Sequence, residues 1–456
     1  MNHRNLSFAL YYLTILLWTI TLPSIVEADS GDLLSHFQPY ISVQEEYNSN
    51  LYLTADHRIH DYITSVIPGL RFSTLPRSET TGEFQPAIAS PGTKYGVDLD
   101  YNVPLVYYAR ESHNNYVGVG GTLNAWYFFD PNLTFRVRNY SIRSQEPREQ
   151  EYSSTALPGE LLSSTERGRR PTYFRNVFGP SVEYRFGRED VFSIYYQNNI
   201  YRNEDPLFQD SMENFINPKL TYWFDIRNGV SLEYALTLGD FERSADLTGH
   251  MATGRYIHRF NPMTSVFGEY THLWRNFDSP SSDVSPSVDY VIYRPSIGIE
   301  HAFSPTLTGS VKVGYFWVRP EEGDTIGRPY YEVHLTQLAP KSSYSLSFLG
   351  GYREDFFTAE NLGFIQYHRA FGTITYELLP RMTVGLFGSY EWAKFERPSA
   401  ARREVDNIWG TGINASYQLF RWLNLSVLGS YRENHSNIET EGYKEYRGIF
   451  KATVMY

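Results

Sequence analysis

Along most of this chain apolar and polar side chains alternate one for one. In Tyr95-Gly96-Val97-Asp98-Leu99-Asp100-Tyr101-Asn102-Val103 one row is aromatic or aliphatic and the other is Gly, Asp, Asp, Asn. A period of two belongs to an extended strand, whose successive side chains point to opposite faces. Leu133-Thr134-Phe135-Arg136-Val137-Arg138 repeats the pattern with two arginines on the polar row, and Val311-Lys312-Val313-Gly314-Tyr315 with a lysine. Each reads as a strand between two different solvents.

Alternation alone also fits a soluble sandwich, so the turns decide. Short turns recur at Asp130-Pro131-Asn132, Gly187-Arg188-Glu189-Asp190, Arg227-Asn228-Gly229, Asn261-Pro262, Ser304-Pro305, Ala339-Pro340, Leu379-Pro380 and Phe420-Arg421. They are spaced roughly 40 residues apart, one hairpin pair per period. Between them lie longer polar segments, such as those around Glu321-Glu322-Gly323-Asp324 and Pro398-Ser399-Ala400. Short turns at one end and long loops at the other are the asymmetry of a transmembrane antiparallel up-and-down β-barrel of the outer membrane, with the short turns periplasmic.

Ascending strands are predicted to start near Phe37, Tyr95, Leu133, Val191, Val230, Met263, Thr306, Ser342, Met382 and Trp422, which with their returns makes about twenty, eighteen being the smaller count. Four ascending strands share a motif: Phe267-Gly268-Glu269-Tyr270, Leu349-Gly350-Gly351-Tyr352, Phe387-Gly388-Ser389-Tyr390 and Leu428-Gly429-Ser430-Tyr431. A repeat of this length also suits propeller blades, but a blade needs four strands and each period holds two long ones. Pro68, Pro180, Pro218 and Pro295 fall at similar places in four descending strands. Proline removes a ladder hydrogen bond, so bulges or an outward bend are expected there.

Composition agrees with the pattern. Aromatic residues make up 16% of the chain (38 Tyr, 29 Phe, 8 Trp), yet mean hydropathy is -0.41. Two-faced strands accommodate that combination without long apolar runs. The absence of cysteine excludes disulfides, thiolate metal sites and thiol redox chemistry, and suits passage through an oxidising periplasm. A net charge of -11 disfavours nucleic acid as a partner.

At the N-terminus Arg4 precedes an uncharged apolar stretch over residues 6–22, and Val26-Glu27-Ala28 forms a small-x-small cleavage site. This is the layout of a signal peptide over residues 1–28. Residues 29–36 are then expected to form a short periplasmic segment, too short for a plug inside the lumen, and residues 37–456 the barrel. An uncleaved anchor is the alternative for the apolar stretch, since it approaches the roughly 20 residues that span a bilayer.

Energetics assign the polar row. Arg or Lys on the lipid face near the midplane costs about 2–4 kcal/mol each. The rows carrying Asp98, Asp100, Arg136, Arg138, Glu183, Arg185, Glu233, Lys312, Glu445 and Arg447 are therefore expected to face the lumen. These charges could line a wet passage or merely pair and brace the wall. The longest loop, 144–170, is expected to fold inward and narrow the pore. It carries Glu146, Glu149, Glu151 and Glu160 and then Arg167, Arg169 and Arg170, with Leu157, Leu161 and Leu162 able to pack on the wall. The chain ends on an alternating strand whose apolar row includes Phe450, Val454 and the terminal Tyr456. Such an ending is expected to serve as the assembly signal read by the barrel-assembly machinery, with lipid around the finished wall.

Enzyme motifs are missing: no H-E-x-x-H, G-x-x-x-x-G-K-[ST] or G-x-S-x-G occurs. Gly118-Val119-Gly120-Gly121 lies within alternating strand and is expected to relieve crowding against aromatics. Asp56, His57, His60 and Asp61 cluster in a loop, expected to be solvated rather than metal-binding. No cofactor and no catalysis are expected.

Residues 41–53, Ile-Ser-Val-Gln-Glu-Glu-Tyr-Asn-Ser-Asn-Leu-Tyr-Leu, and 61–70, Asp-Tyr-Ile-Thr-Ser-Val-Ile-Pro-Gly-Leu, resemble the opening of the putative beta-barrel porin-2 family. Members begin with an E-Y-N-x-N segment and a D-x-[IV]-x-x-x-x-P-G segment. The resemblance implies an outer-membrane barrel associated with exopolysaccharide or exosortase systems, and so an envelope polysaccharide or its export apparatus as partner. Three functions stay open: a diffusion or export channel, a structural or docking barrel without flux, and a soluble all-β carbohydrate-binding protein.

Overall fold

The computed structural model describes residues 36–74, 94–146, 170–278, 289–321, 323–355, 363–395 and 405–456. Among these, twenty-two hydrogen-bonded segments form one sheet. Two strands are each split, Tyr95–Asn102 with Leu105–Tyr108 at Val103-Pro104, and Tyr116–Val117 with Val119–Phe128 at Gly118, so twenty strands wall the barrel. Neighbours in sequence pair antiparallel throughout. The first strand, Phe37–Asn48, pairs with Asp61–Ser73 on one side and with the last, Tyr443–Met455, on the other, from Tyr40 opposite Met455 to Asn48 opposite Arg447. The ladder is closed and leaves no open edge, which is what a sheet in hydrocarbon requires.

Ascending strands begin at Phe37, Tyr95, Leu133, Val191, Asn228, Thr264, Leu307, Ser342, Met382 and Leu423, each within two positions of the start read from the pattern. The outer rows are apolar and exposed: Tyr344, Leu346 and Phe348 on one strand, Val311 and Val313 on another, Ile297 and Ile299 on a third. Packed clusters sit inside the cylinder instead. Leu51 of the first long loop folds in on Ile63, Val106 and Tyr108, and Leu53 beside it is buried as well. A second, larger inner cluster gathers Phe241, Leu247, Leu273, Tyr290, Ile292, Phe316, Val318, Tyr330 and Phe364.

Of the bulge or outward bend expected at the strand prolines, the bulge does not form. Pairing is interrupted beside Pro180, Pro218 and Pro295 and resumes in unchanged register: Phe178 opposite Asn198 then Ser181 opposite Tyr195, Ile216 opposite Leu236 then Lys219 opposite Glu233, Tyr293 opposite Trp317 then Ser296 opposite Gly314. Beside Pro68 the neighbouring strand itself breaks, and the Val103 amide reaches the Pro68 carbonyl across the gap. Each missing donor thus costs a local gap and no slip. The register shifts that do occur lie at the short turns, between Arg259 and Asn261, Ala302 and Ser304, Glu377 and Leu379, and Gln418 and Phe420.

Candidate functional site

The inner face is where the charged row goes. Asp98 is fully buried beside Arg71, at 3.4 Å, and Asp100 accepts the Tyr40 hydroxyl at 2.7 Å. Glu183 lies between Arg136 and Arg185, at 3.3 and 3.0 Å. Lys219 stands 3.6 Å from Glu233, and Lys312 bridges Glu269 and Glu332 at 3.5 and 2.8 Å. Arg138 sits exposed on the same row as Thr134 and Arg136 and makes no ion pair among the described residues. Most of this wall is therefore cross-braced, while Arg138 faces solvent.

Glu445 and Arg447 belong to the closing seam, where the N-terminal signature finds its physical meaning. Glu46, Asn48 and Asn50 follow at intervals of two, so all three point inward. Arg447 donates twice to Glu46, at 2.5 and 2.7 Å, a bidentate pair. Asn48 donates to Glu445 at 2.8 Å, and Asn50 donates to the carbonyls of Lys444 and Thr54. The motif joins the first strand to the last and pins the inward-folded loop that follows. In the second motif, Asp61 accepts the amides of Arg110 and Glu111, which fixes the neighbouring hairpin tip. Gly69 lies under the Tyr40 ring, where any Cβ would meet Tyr40 Cζ at 2.2 Å. In the run 118–121, a Cβ on Gly118 or Gly121 would lie near the Tyr116 or Tyr101 ring, at 3.3 or 3.5 Å, whereas Gly120 faces the Asn102 amide.

The roots of the longest loop turn inward. Glu146 accepts from Arg447 at 3.3 Å and lies 3.5 Å from Arg170. Arg170 is buried, donates to the Leu51 carbonyl at 3.1 Å and stands over the Tyr108 ring. Burial opposes its charge, but Tyr108, Glu146 and Glu46 hold the guanidinium protonated, above its ordinary range. Glu149, Glu151, Arg167 and Arg169 lie outside the described residues, as do Glu160 and residues 1–35.

A second inward element was not legible in the pattern. Ile326–Ala339 and Ser342–Asp355 pair only up to Tyr331 opposite Gly350. Above that point Ser342–Asp355 parts from Ile326–Ala339 and turns inward, while Gly363–Leu379 stays paired with it and with Met382–Phe395 as far as Ile365 opposite Phe395. The row that is outward at Tyr344, Leu346 and Phe348 continues to Tyr352 and Glu354, which touch inner-face residues. Tyr352 and Phe364 pack on Phe316, and Arg328 donates to Gln366. Glu354 takes a bidentate pair from Arg275, at 3.0 and 2.6 Å, and a hydrogen bond from the Tyr290 hydroxyl. One signal was available: a carboxylate at Glu354 ending an otherwise lipid-facing row.

At the other end, Phe450 and Val454 are exposed on the outer row, and the Tyr456 amide donates to the Pro39 carbonyl at 3.0 Å. The metal-binding possibility at Asp56, His57, His60 and Asp61 gathers no ligand set among the described residues.

A closed twenty-strand ladder, apolar outside and charged within, defines a porin-like outer-membrane β-barrel. Residues 242–456 match the family model described as putative beta-barrel porin 2, the family that residues 41–70 resemble at the opposite end of the chain. No curated protein matches the chain. Among solved structures it is similar to the outer membrane protein opdK from Pseudomonas aeruginosa, at 10% identity and TM-score 0.42, over 92% of this chain and 99% of that one. A BenF-like porin from Pseudomonas fluorescens Pf-5 aligns at 10% identity and TM-score 0.43, over 93% and 100%. The siderophore receptor PirA from Pseudomonas aeruginosa aligns at 9% identity and TM-score 0.48, over 92% and 80%. The barrel class stands on the closed ladder itself.

Proposed function

We propose that the barrel is a channel for a polar solute or an envelope polysaccharide, narrowed at its extracellular end by inward-folded elements. The observation that carries this reading is Arg138, exposed on the inner face with no ion pair among the described residues. An exposed cation without a protein partner is satisfied by water, so the inner face at Arg138 is wet. The braced pairs around it keep both signs of charge at the surface of the passage, which suits polar or charged cargo. Lipid surrounds the apolar outer rows, and the barrel-assembly machinery reads the closing strand through Phe450, Val454 and Tyr456. Envelope polysaccharide as the cargo follows from the family resemblance alone.

The test is planar-bilayer conductance of the chain from Asp29 onward, refolded in detergent. Discrete steps of uniform size support the channel. A barrel that inserts, shows heat-modifiable migration and never conducts at any applied voltage is a docking barrel.

A further inference from the structure

Three strands beside the seam hold a buried cation with no hydrogen bond or ion pair among the described residues. Arg432 is 3% exposed, and its Nε, Nη1 and Nη2 have no hydrogen-bond partner among the described residues. It alternates with the outward Tyr431 and so points into the lumen, opposite Glu445 on Tyr443–Met455 and Gly410 on Val405–Phe420. Asn434, the next inward residue, is 2% exposed; its amide nitrogen donates to the Glu441 carbonyl, while Oδ1 accepts nothing. Tyr443 faces Asn434 across the strands, its ring 5.9 Å from the guanidinium. Glu445 is engaged by Asn48 and makes no ion pair with Arg432.

A guanidinium held out of water without partners is among the least favourable arrangements a fold can keep. Its planar fork matches two oxygens of one oxyanion, and the neighbouring Asn434 Oδ1 asks for a donor such as a hydroxyl. We propose that Arg432 and Asn434 form a binding site for an oxyanion carried on a hydroxylated molecule, such as a sugar acid or a sugar phosphate. The anion docks on the guanidinium, a hydroxyl beside it donates to Asn434 Oδ1, and the Tyr443 ring walls the site. The channel reading gains a binding step on the wall; the binding itself needs no flux, so it is measured apart from conductance.

The experiment is calorimetric titration of the refolded full barrel in detergent with D-glucuronate, with inorganic phosphate and with D-glucose. Charge-assisted hydrogen bonds are worth about 1.5–3 kcal/mol, so Arg432→Gln is expected to weaken glucuronate binding roughly 10- to 100-fold. Arg432→Lys should retain part of it, and glucose should bind at least about tenfold more weakly than glucuronate. Asn434→Ala should weaken glucuronate but leave phosphate unchanged. If the arginine instead served the fold, Arg432→Gln would lower the heat-modification midpoint. Removing an unpartnered buried charge is expected to leave it level or raise it. No anion binding by the parent barrel, equal affinity in Arg432→Gln, or a midpoint lowered in that variant would overturn the proposal.

Discussion

Glu46 shows how much one inward side chain carries. It neutralises Arg447, which is otherwise left with Glu146, and both lie where the first strand meets the last. Breaking a buried ion pair by removing one partner costs about 3–5 kcal/mol, because the other charge stays behind. Glu46→Ala is therefore expected to lower the midpoint of heat-modifiable migration clearly, with Glu46→Gln in between; a midpoint unchanged in both would show the seam to be held by the backbone alone. At the periplasmic turns the effects are milder. Arg259 donates twice to Glu189, at 3.2 and 2.7 Å, and these hydrogen bonds hold the Glu189 carboxyl below its ordinary range. A depressed folded-state value means that the stabilisation is complete above the unfolded value, about 4.3, and fades as pH falls through the lower folded one. Carboxyl-carbon NMR titration should show Glu189 returning toward the ordinary value in Arg259→Gln; if the two curves coincide, the pair has no such influence.

At the scale of elements, alternation decided most strands because each face meets a different solvent, and a one-residue slip would turn every side chain over. The same rule misread the upper half of Ser342–Asp355. Its outward row reads as lipid-facing up to Gly350, and only the tertiary fold shows Tyr352 and Glu354 turned onto the inner wall. The Glu354 pair with Arg275 and the aromatic packing hold the hairpin in place. With no native cysteine, a single Ile292→Cys, at a position 1% exposed, reports on its docking. Labelling by a membrane-impermeant maleimide should be slow in that background and at least about tenfold faster once Glu354→Ala is added, the equivalent of roughly 1.4 kcal/mol in the opening equilibrium. Equal rates would mean that the hairpin is held by its apolar contacts alone.

For the whole molecule, closure governs. Residues 450–456 supply pairings on both sides of the last strand, including Phe450 opposite Glu45 and Val454 opposite Ile41 and Leu423. Deleting them leaves an unpaired edge in hydrocarbon, so no heat-modifiable barrel should reach the outer membrane; a normally migrating truncated barrel would refute this. The width of the passage is a property of the same scale. A barrel this wide would leave a free aqueous channel unless something constricts it. The loop roots at Glu146 and Arg170 are drawn inside, so deletion of 149–168 is expected to raise single-channel conductance severalfold, and conductance equal to that of the parent would sink the loop as the constriction.

Strand number, strand starts and the closing role of the last strand were legible in the sequence. Each follows from local chemistry repeated along the chain: a period of two and turn residues at regular intervals. The strand gaps at the prolines, the seam contacts of Glu46, Asn48 and Asn50, the inward turn of Ser342–Asp355 and the burial of Arg432 without a hydrogen-bond partner among the described residues were decided by the tertiary structure. They depend on which residues closure brings together across hundreds of positions, as with Glu46 and Arg447, or across the lumen, as with Arg275 and Glu354. Alternation places a side chain inside the barrel, but only the closed cylinder selects the partner it meets there.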